Sequence, residues 1–115
     1  MPGYSVTAAN QALDALSGGT TNVLAFVQLN TADPGTTGAN EATSTRQACT
    51  WNAAASRAKT NVTALTFAPT AGTANTHFST WSASSGGTFG ISGALGSSVT
   101  AASVTVAAAA LSIGA

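Results

Sequence analysis

The sequence predicts a mainly β protein, an antiparallel β-sandwich or jelly-roll-like domain that begins with one short helix. After residue 20, apolar and polar residues alternate with the two-residue period of a β-strand. Turns rich in Gly, Ser and Thr separate these segments at fairly regular spacing. Charged residues make up only 5% of the chain, against about 25% in an ordinary soluble domain. The polar surface must therefore consist of hydroxyl and amide groups, and a length of 115 residues predicts a single domain over residues 1–115.

One segment near the start has the period of an amphipathic helix, over about residues 6–17. Its apolar residues recur at helical spacing, at Val6, Ala9, Leu13 and Leu16. Ser5 is suited to cap the first turn, and Gly18-Gly19 is suited to end the helix. The predicted helix either covers one end of the core or docks against a neighbouring subunit, and the sequence leaves both open.

The first predicted strand, Asn22 to Leu29, is apolar on both faces for most of its length, which indicates a central strand. A long loop, Asn30 to Glu41, follows it. Pro34 has the φ value that the first central position of a tight turn requires, and Gly35 can adopt the positive φ of a type II turn. Asp33 can accept a hydrogen bond from the backbone that follows it.

The remaining segments predict further strands with turns between them. They are Arg46 to Asn52, Val62 to Ala68, Thr76 to Ala83, Phe89 to Leu95, and two short strands near Val104 to Val106 and Leu111 to Ile113. The turn Ser84 to Gly87 predicts a hairpin between the two strands beside it. Ala53 to Thr60 has no apolar period and is interpreted as a surface connection. Alternation puts Cys49 on the inner face with Trp51, so we expect a buried, apolar thiol.

The charges exclude one class of partner and favour another. Three basic and three acidic residues give a net charge of zero, which removes the attraction to phosphate that supplies most non-specific binding to nucleic acid. A near-neutral surface also gives little repulsion between copies, so we expect a homo-oligomer, most simply a trimer. No apolar stretch approaches the roughly 18 residues of a membrane span, and the start has no basic leader, so we expect synthesis in the cytoplasm and no membrane.

The sequence offers no group of residues suited to catalysis. His77 is the only histidine, and no carboxylate lies near it in sequence, so we expect its ring to bond to a neighbouring backbone group or to lie at a subunit interface. One His and one Cys are too few for a transition-metal site. Asp33 and Glu41 could hold a hard cation, but their spacing matches no calcium loop, and pairing of Glu41 with Arg46 is favoured. We therefore predict a non-enzymatic protein without a metal or a cofactor.

Residues along most of the chain resemble one family of proteins. The first group is Leu29-Asn30-Thr31, Asp33-Pro34-Gly35, Thr37-Gly38, Asn40-Glu41 and Arg46-Gln47-Ala48. The second group is Thr66-Phe67, Thr76-His77-Phe78, Trp81, Gly86-Gly87 and Gly93-Ala94-Leu95. In these residues, and over nearly the whole chain from Ala9 onward, the sequence resembles the short virion structural proteins of tailed phages that infect actinobacteria. Thr45 and Ala102-Ser103 depart from the family pattern, which often has Tyr and Gly-Asp there.

Such virion proteins are described as head-decoration, minor capsid or tail-fibre-like proteins. The resemblance implies a virion structural protein made in the host cytoplasm. We expect a capsid decoration protein that binds the major capsid protein, as an oligomer, on the outer capsid surface. A fibre is long, and a compact domain without heptads or repeats cannot reach that length by itself. A tail-fibre-like or other tail structural role is the alternative.

The loop is the candidate contact with the capsid, because a backbone-rich loop that contains glycine can follow another protein's surface. The candidate contact residues are Asp33, Pro34, Gly35, Asn40, Glu41 and Arg46, with an N-terminal arm, Pro2 to Ser5, as the second choice. A carbohydrate-binding sandwich is a lower alternative, since it needs exposed aromatic rings to stack on sugars. The aromatics expected to be internal are Phe26, Trp51, Phe67, Trp81 and Phe89, which leaves Tyr4 and Phe78.

Overall fold

The computed structural model describes residues 5–18 and 21–114, so Gly19 and the arm residues Pro2 to Tyr4 lie outside the described residues. One helix, α1 (Val6–Gly18), precedes the strands. The strands are β1 (Phe26–Asn30), β2 (Gln47–Ala48), β3 (Ala58–Thr60), β4 (Leu65–Phe67), β5 (Asn75–Trp81), β6 (Phe89–Val99), β7 (Val104–Val106) and β8 (Ser112–Gly114). The predicted mainly β class with one N-terminal helix is confirmed.

Helix α1 has the capping bond that its sequence predicts. The Ser5 hydroxyl oxygen accepts a hydrogen bond from the backbone N–H of Ala8 at 3.1 Å, which satisfies one of the free donors of the first turn. Ala9 and Leu13 are buried, so the apolar face packs onto the core. The helix is 13 residues long, and no helix among the described residues has the length and apolarity that crossing a bilayer requires.

The larger sheet contains four antiparallel strands in the order β2-β1-β5-β6. β1 lies inside this sheet, and its residues Val27, Gln28 and Leu29 are all buried, which confirms the predicted central strand. It begins at Phe26 rather than Asn22, because the Asn22 side chain accepts the N–H of Leu24 at 3.0 Å and turns the chain first.

The predicted hairpin is confirmed as the pair β5 and β6. β6 continues to Val99, beyond the predicted end at Leu95. Its residues 95–98 stand opposite Thr76 alone, between the pairs His77 with Ala94 and Asn75 with Val99. A bulge of this size breaks the two-residue alternation, so the sequence pattern stops before the strand does.

The second layer consists of two antiparallel ladders, β3 with β8 and β4 with β7. The core draws on both layers and on α1, through Leu13, Leu24, Val27, Leu29, Leu65, Phe67, Phe78, Val104, Leu111 and Ile113. This is the organisation of a sandwich. Phe78 is buried at 2% exposure, so its expected exposure is wrong. β5 lies between β1 and β6, and the second layer covers the face that carries this ring.

The predicted strand Arg46 to Asn52 is mostly irregular. Only β2 pairs with β1, and Trp51 then forms an isolated bridge with Asn61. The Trp51 indole N–H donates to the backbone oxygen of Leu24 at 2.9 Å, which holds the ring against the core without a ladder. Cys49 is half-buried rather than fully buried.

The predicted surface connection Ala53 to Thr60 contains strand β3, which is a correction. The inward residue of β3 is Lys59, with a side chain only 3% exposed. Its Nζ atom donates to a carboxylate oxygen of Asp14 on α1 at 2.7 Å. A charged residue at the buried position hides the apolar period from the sequence. The Asp14–Lys59 pair also fixes α1 to the second layer.

Asp14 makes stability depend on pH. The hydrogen bond from Lys59, and then that from the backbone N–H of Ala54, lower the pKa of Asp14 below its ordinary value of 3.8. A group with a lowered pKa in the folded state stabilises the fold above its unfolded pKa, and this contribution is lost as the pH falls through the folded pKa. We expect Asp14→Asn to melt below the wild type at neutral pH, with a difference that shrinks at pH values under 3.8. Melting curves by circular dichroism across this range test it, and a difference independent of pH would contradict it.

Candidate functional site

The loop 30–41 is closed at its base by strand-like pairing. Asn30 and Glu41 form an isolated antiparallel bridge. The backbone N–H of Thr31 donates to the backbone oxygen of Asn40 at 2.9 Å. The loop therefore leaves β1 and returns beside it, so both of its ends are fixed.

Short bonds within the loop hold its tip. The Asp33 carboxylate accepts the N–H of Gly35 at 2.9 Å, and Gly35 has a φ of 64°, as predicted for both residues. The Asn40 side-chain amide donates to the backbone oxygen of Asp33 at 3.2 Å. The N–H of Gly38 donates to the backbone oxygen of Pro34 at 3.2 Å. Hydrogen bonds between residues of the loop itself therefore fix the conformation of its tip.

Arg46 connects the loop to the turn between β5 and β6. Its Nε and Nη2 atoms donate to the two carboxylate oxygens of Glu41 at 2.8 and 3.1 Å, which confirms the predicted pair. Its Nη1 atom donates to the backbone oxygens of Ala83 and Gly86 at 2.9 and 2.7 Å. The guanidinium carbon lies 3.8 Å from the ring centroid of Trp81, within the range of a cation–π contact. All three guanidinium nitrogens are therefore engaged.

A buried hydrogen-bonded chain supports the loop from below. The Trp81 indole N–H donates to the Ser79 hydroxyl at 2.8 Å, and that hydroxyl donates to the Asn30 side-chain oxygen at 2.7 Å. The Asn30 amide nitrogen then donates to the backbone oxygen of Ala39 in the loop at 3.0 Å. We call the whole surface the Arg46 platform, made of loop 30–41, turn 82–88 and Arg46.

Gly38 lies directly against this support. A Cβ atom at Gly38 would come 2.5 Å from the Trp81 ring and 3.1 Å from Phe89, at a φ of +76°. We expect Gly38→Ala to lower the free energy of unfolding by about 2–3 kcal/mol, from the ring clash and the left-handed backbone together. Urea unfolding measures it.

Gly35→Ala is the matched control for this prediction. Gly35 has a φ of +64°, but nothing lies within 4 Å of an added Cβ. It should lose only about 1 kcal/mol, the cost of the left-handed conformation for alanine. If both variants lost the same free energy of unfolding, the Trp81 ring would be able to move away from the added methyl group without destabilising the fold.

The structure brings the predicted contact residues together, but some of them are exposed and others are buried. Asp33, Gly35, Asn40 and Glu41 are exposed, whereas Pro34 and Arg46 are buried. The first set faces outward, and the second set holds the surface in place from behind. Sequence reasoning missed the exposed Thr36 and Thr37; their place between two turn glycines was the available signal.

An open polar groove of about 380 Å³ lies beside Arg46, against turn 82–88. Gln28 and Ser44 form part of its floor. The Gln28 amide donates to the backbone oxygen of Ser44 at 2.5 Å, and the Ser44 hydroxyl donates to the Gln28 side-chain oxygen at 2.5 Å. The side chains of Gln28 and Ser44 therefore bond to each other. Their donors are used within the floor of the groove.

Within the described residues, the Arg46 platform contains no histidine or cysteine side chain. The ring nitrogen Nδ1 of His77 lies 2.8 Å from the Thr76 hydroxyl, so its partner is a neighbouring side chain rather than a backbone group. Burial raises the pKa of the Cys49 thiol to about 11, so the thiol is protonated and unreactive at neutral pH. Within residues 5–18 and 21–114, no three His, Cys, Asp or Glu side chains are grouped for a metal ion.

The chain was compared with protein families and with curated proteins. No curated protein matches the chain. A family model described as podophage GP4 fiber I protein gp80 matches residues 3–113. The match spans the Arg46 platform and nearly the whole chain, and it supports the resemblance to phage virion structural proteins. The chain belongs to the podophage GP4 fiber I protein gp80 family.

Proposed function

We propose that the protein is a non-enzymatic structural subunit of a podophage fibre, carried on the tail of the virion. The observation that supports this best is the family match over residues 3–113. This family match favours the tail-fibre alternative over capsid decoration, which was the first expectation from the sequence. No cofactor or metal enters the proposal.

The Arg46 platform is the proposed contact with a neighbouring virion protein. Its exposed tip offers the Asp33 carboxylate, the Asn40 side chain and the backbone around Gly35. The bonds to Glu41 and turn 82–88 fix this tip before any partner arrives, so binding has less conformational freedom to remove. Pro34 and Arg46 contribute by holding the surface rather than by touching the partner.

We also propose that the protein works as a homo-oligomer, with the trimer as the predicted state. The chain carries no net charge, so copies experience little long-range repulsion. A fibre is longer than one such subunit, so it must contain several copies of this chain or other chains. The described fold measures only 42 × 27 × 27 Å.

Head decoration is the second candidate, and this compact shape favours it. A decoration protein needs a compact fold, a self-contact and a surface that seats on the shell. In that role the Arg46 platform would contact the major capsid protein on the outer capsid surface. The two candidates differ in location and copy number, so one experiment separates them.

The experiment is to separate purified particles into heads and tails and to quantify the protein in each fraction by mass spectrometry. We expect it with the tails, at a small number of copies for each particle. Hundreds of copies on the heads would establish decoration instead and overturn the fibre proposal. Hydrogen exchange on whole particles and on free protein should show added protection in residues 33–40 if the Arg46 platform is the contact.

A further inference from the structure

A small pocket lies between the ends of loop 30–41 and the segment 69–73. It has a volume of about 80 Å³. Its lining residues Thr43 and Thr70 are exposed, whereas Asn75, which also lines it, is buried. The pocket therefore opens to solvent beside the threonines and extends inward to the first residue of β5. We call it the Asn75 pocket.

The side chain of Asn75 is fully buried, yet its oxygen atom Oδ1 accepts no hydrogen bond from the protein. Among the described residues it is the only buried side-chain nitrogen or oxygen without a partner. The buried side chains of Asn30 and Asn61 use both their oxygen and their nitrogen. A buried acceptor without a donor destabilises a fold, so a donor supplied from outside the chain would stabilise this one.

The other end of the Asn75 amide fixes which atom is free. Its Nδ2 atom donates to the backbone oxygen of Thr73 at 3.4 Å, and its backbone pairs with Val99 in the sheet. Turning the amide by half a rotation would set Oδ1 against the Thr73 oxygen, and two acceptors cannot bond to each other. The free atom is therefore the acceptor, and a ligand of the pocket must donate an N–H or an O–H.

The threonine side chains at the opening bond to each other. The hydroxyl oxygens of Thr43 and Thr70 lie 2.8 Å apart, and the backbone N–H of Thr70 donates to the Thr43 hydroxyl at 3.3 Å. These two bonds connect the segment 69–73 to the residues that follow loop 30–41. The walls of the Asn75 pocket are therefore held together at its opening.

The volume of the pocket limits the size of the donor. A site needs about 10–15 Å³ to hold one water molecule, and a cavity of about 150 Å³ can hold benzene. The Asn75 pocket, at about 80 Å³, is larger than one water molecule requires and smaller than a six-membered ring requires. It fits the end group of one side chain rather than a sugar ring.

The charge near the pocket favours a cationic donor. Glu41 also lines the pocket, and its side chain is 32% exposed. The Arg46 platform contains two carboxylates, Asp33 and Glu41, and one cation, Arg46, so one negative charge is unbalanced. A primary ammonium group carries a positive charge and three N–H donors. It can therefore donate to Asn75 and is attracted by the carboxylates.

We propose that the Asn75 pocket binds the ammonium group of a lysine side chain from the neighbouring virion protein. The ammonium donates to Oδ1 of Asn75. The pocket adjoins the proposed contact surface, because Thr31 and Glu41, near the two ends of loop 30–41, both line it. The inference rests on the proposed contact at the Arg46 platform and names the group that this contact recognises.

Titration of the isotope-labelled, full-length protein with methylammonium chloride, followed by nuclear magnetic resonance at constant pH and ionic strength, tests the pocket. We expect saturable shifts of the Asn75 side-chain amide and of the backbone amides of Thr70 and Thr73. Tetramethylammonium carries the same charge but no N–H, so it should leave these signals unshifted. Equal shifts with both cations would reveal attraction to charge alone and overturn the proposal.

Asn75→Leu keeps the approximate size of the side chain but removes the acceptor, so it should abolish the response to methylammonium. Asn52→Leu is the matched control, because Asn52 is exposed and does not line the pocket, and it should respond like the wild type. A response that survives Asn75→Leu would overturn the proposal. Circular dichroism melting checks folding, and if Asn75→Leu does not fold, the two cations compared on the wild type decide.

Carbodiimide treatment of purified particles identifies the source of the ammonium. This reagent joins a carboxylate to an amine in contact with it, so we expect mass spectrometry to find Glu41 linked to a lysine of another virion protein. Methylammonium binding without such a link would mean that the pocket takes free amines, and it would overturn the lysine of the partner as the occupant. Separation of heads from tails tests the fibre proposal independently, so the two failures are distinguishable.

Discussion

Replacing Arg46 with methionine is expected to lower the free energy of unfolding by about 2–4 kcal/mol. Methionine keeps much of the apolar volume over the Trp81 ring but removes every hydrogen bond of the guanidinium. The carboxylate of Glu41 and the backbone oxygens of Ala83 and Gly86 would then lose their donors. The Arg46 side chain is buried, so the two backbone oxygens that lose it are costly to leave unsatisfied, whereas water can reach the partly exposed carboxylate of Glu41.

Urea unfolding measures this loss, and Arg57→Met is its matched control. Arg57 is also an arginine, but its contact with α1 is made by its backbone N–H, which donates to the Asn10 side chain at 3.0 Å. We expect the control to lose less than about 1 kcal/mol. A comparably small loss for Arg46→Met would show that the bonds within loop 30–41 hold the Arg46 platform without the arginine.

Replacing Asn61 with alanine is expected to cost about 3 kcal/mol or more. The side chain is fully buried and binds three backbone groups. Its amide nitrogen donates to the oxygens of Thr63 and Ala107 at 2.8 and 3.0 Å, and its oxygen accepts the N–H of Leu111 at 2.9 Å. Alanine would leave these groups unsatisfied, and each buried unsatisfied group costs about 1–3 kcal/mol.

Asn52→Ala is the control for this prediction. Asn52 also uses its side-chain amide, donating to the Thr60 hydroxyl at 3.0 Å, but it is exposed. Water can replace that bond, so we expect a loss below about 1 kcal/mol by chemical denaturation. Similar losses for the two variants would mean that the segment 107–111 can open to water at the Asn61 position without unfolding the domain.

Features that depend on neighbouring residues were predictable from the sequence. The helix α1 follows from its apolar spacing and the Ser5 cap, and the centre of the sheet follows from the apolar run that contains β1. The turn at Asp33 and Gly35 needs only a carboxylate two residues before a glycine. Glu41 and Arg46 are five residues apart and form the predicted ion pair. In each case the interacting groups are close along the chain.

The partners of these residues across the fold could not be predicted. Arg46 reaches Gly86 over 40 positions, Ser79 reaches Asn30 over 49, and Leu111 reaches Asn61 over 50. The sequence contains several asparagine, serine and arginine side chains that could form such hydrogen bonds. It does not show which of them lies next to which partner in the folded chain.

The sequence by itself determined the mainly β class, the leading helix and the loop 30–41. Only the tertiary structure decided that Lys59 is buried, that Phe78 is internal, and that Pro34 and Arg46 support the candidate surface rather than face a partner. The physical reason is that periodicity shows which residues are apolar, whereas burial depends on what is packed against them. A lysine can lie inside when Asp14 meets it, and a phenylalanine is covered on whichever face the second layer lies.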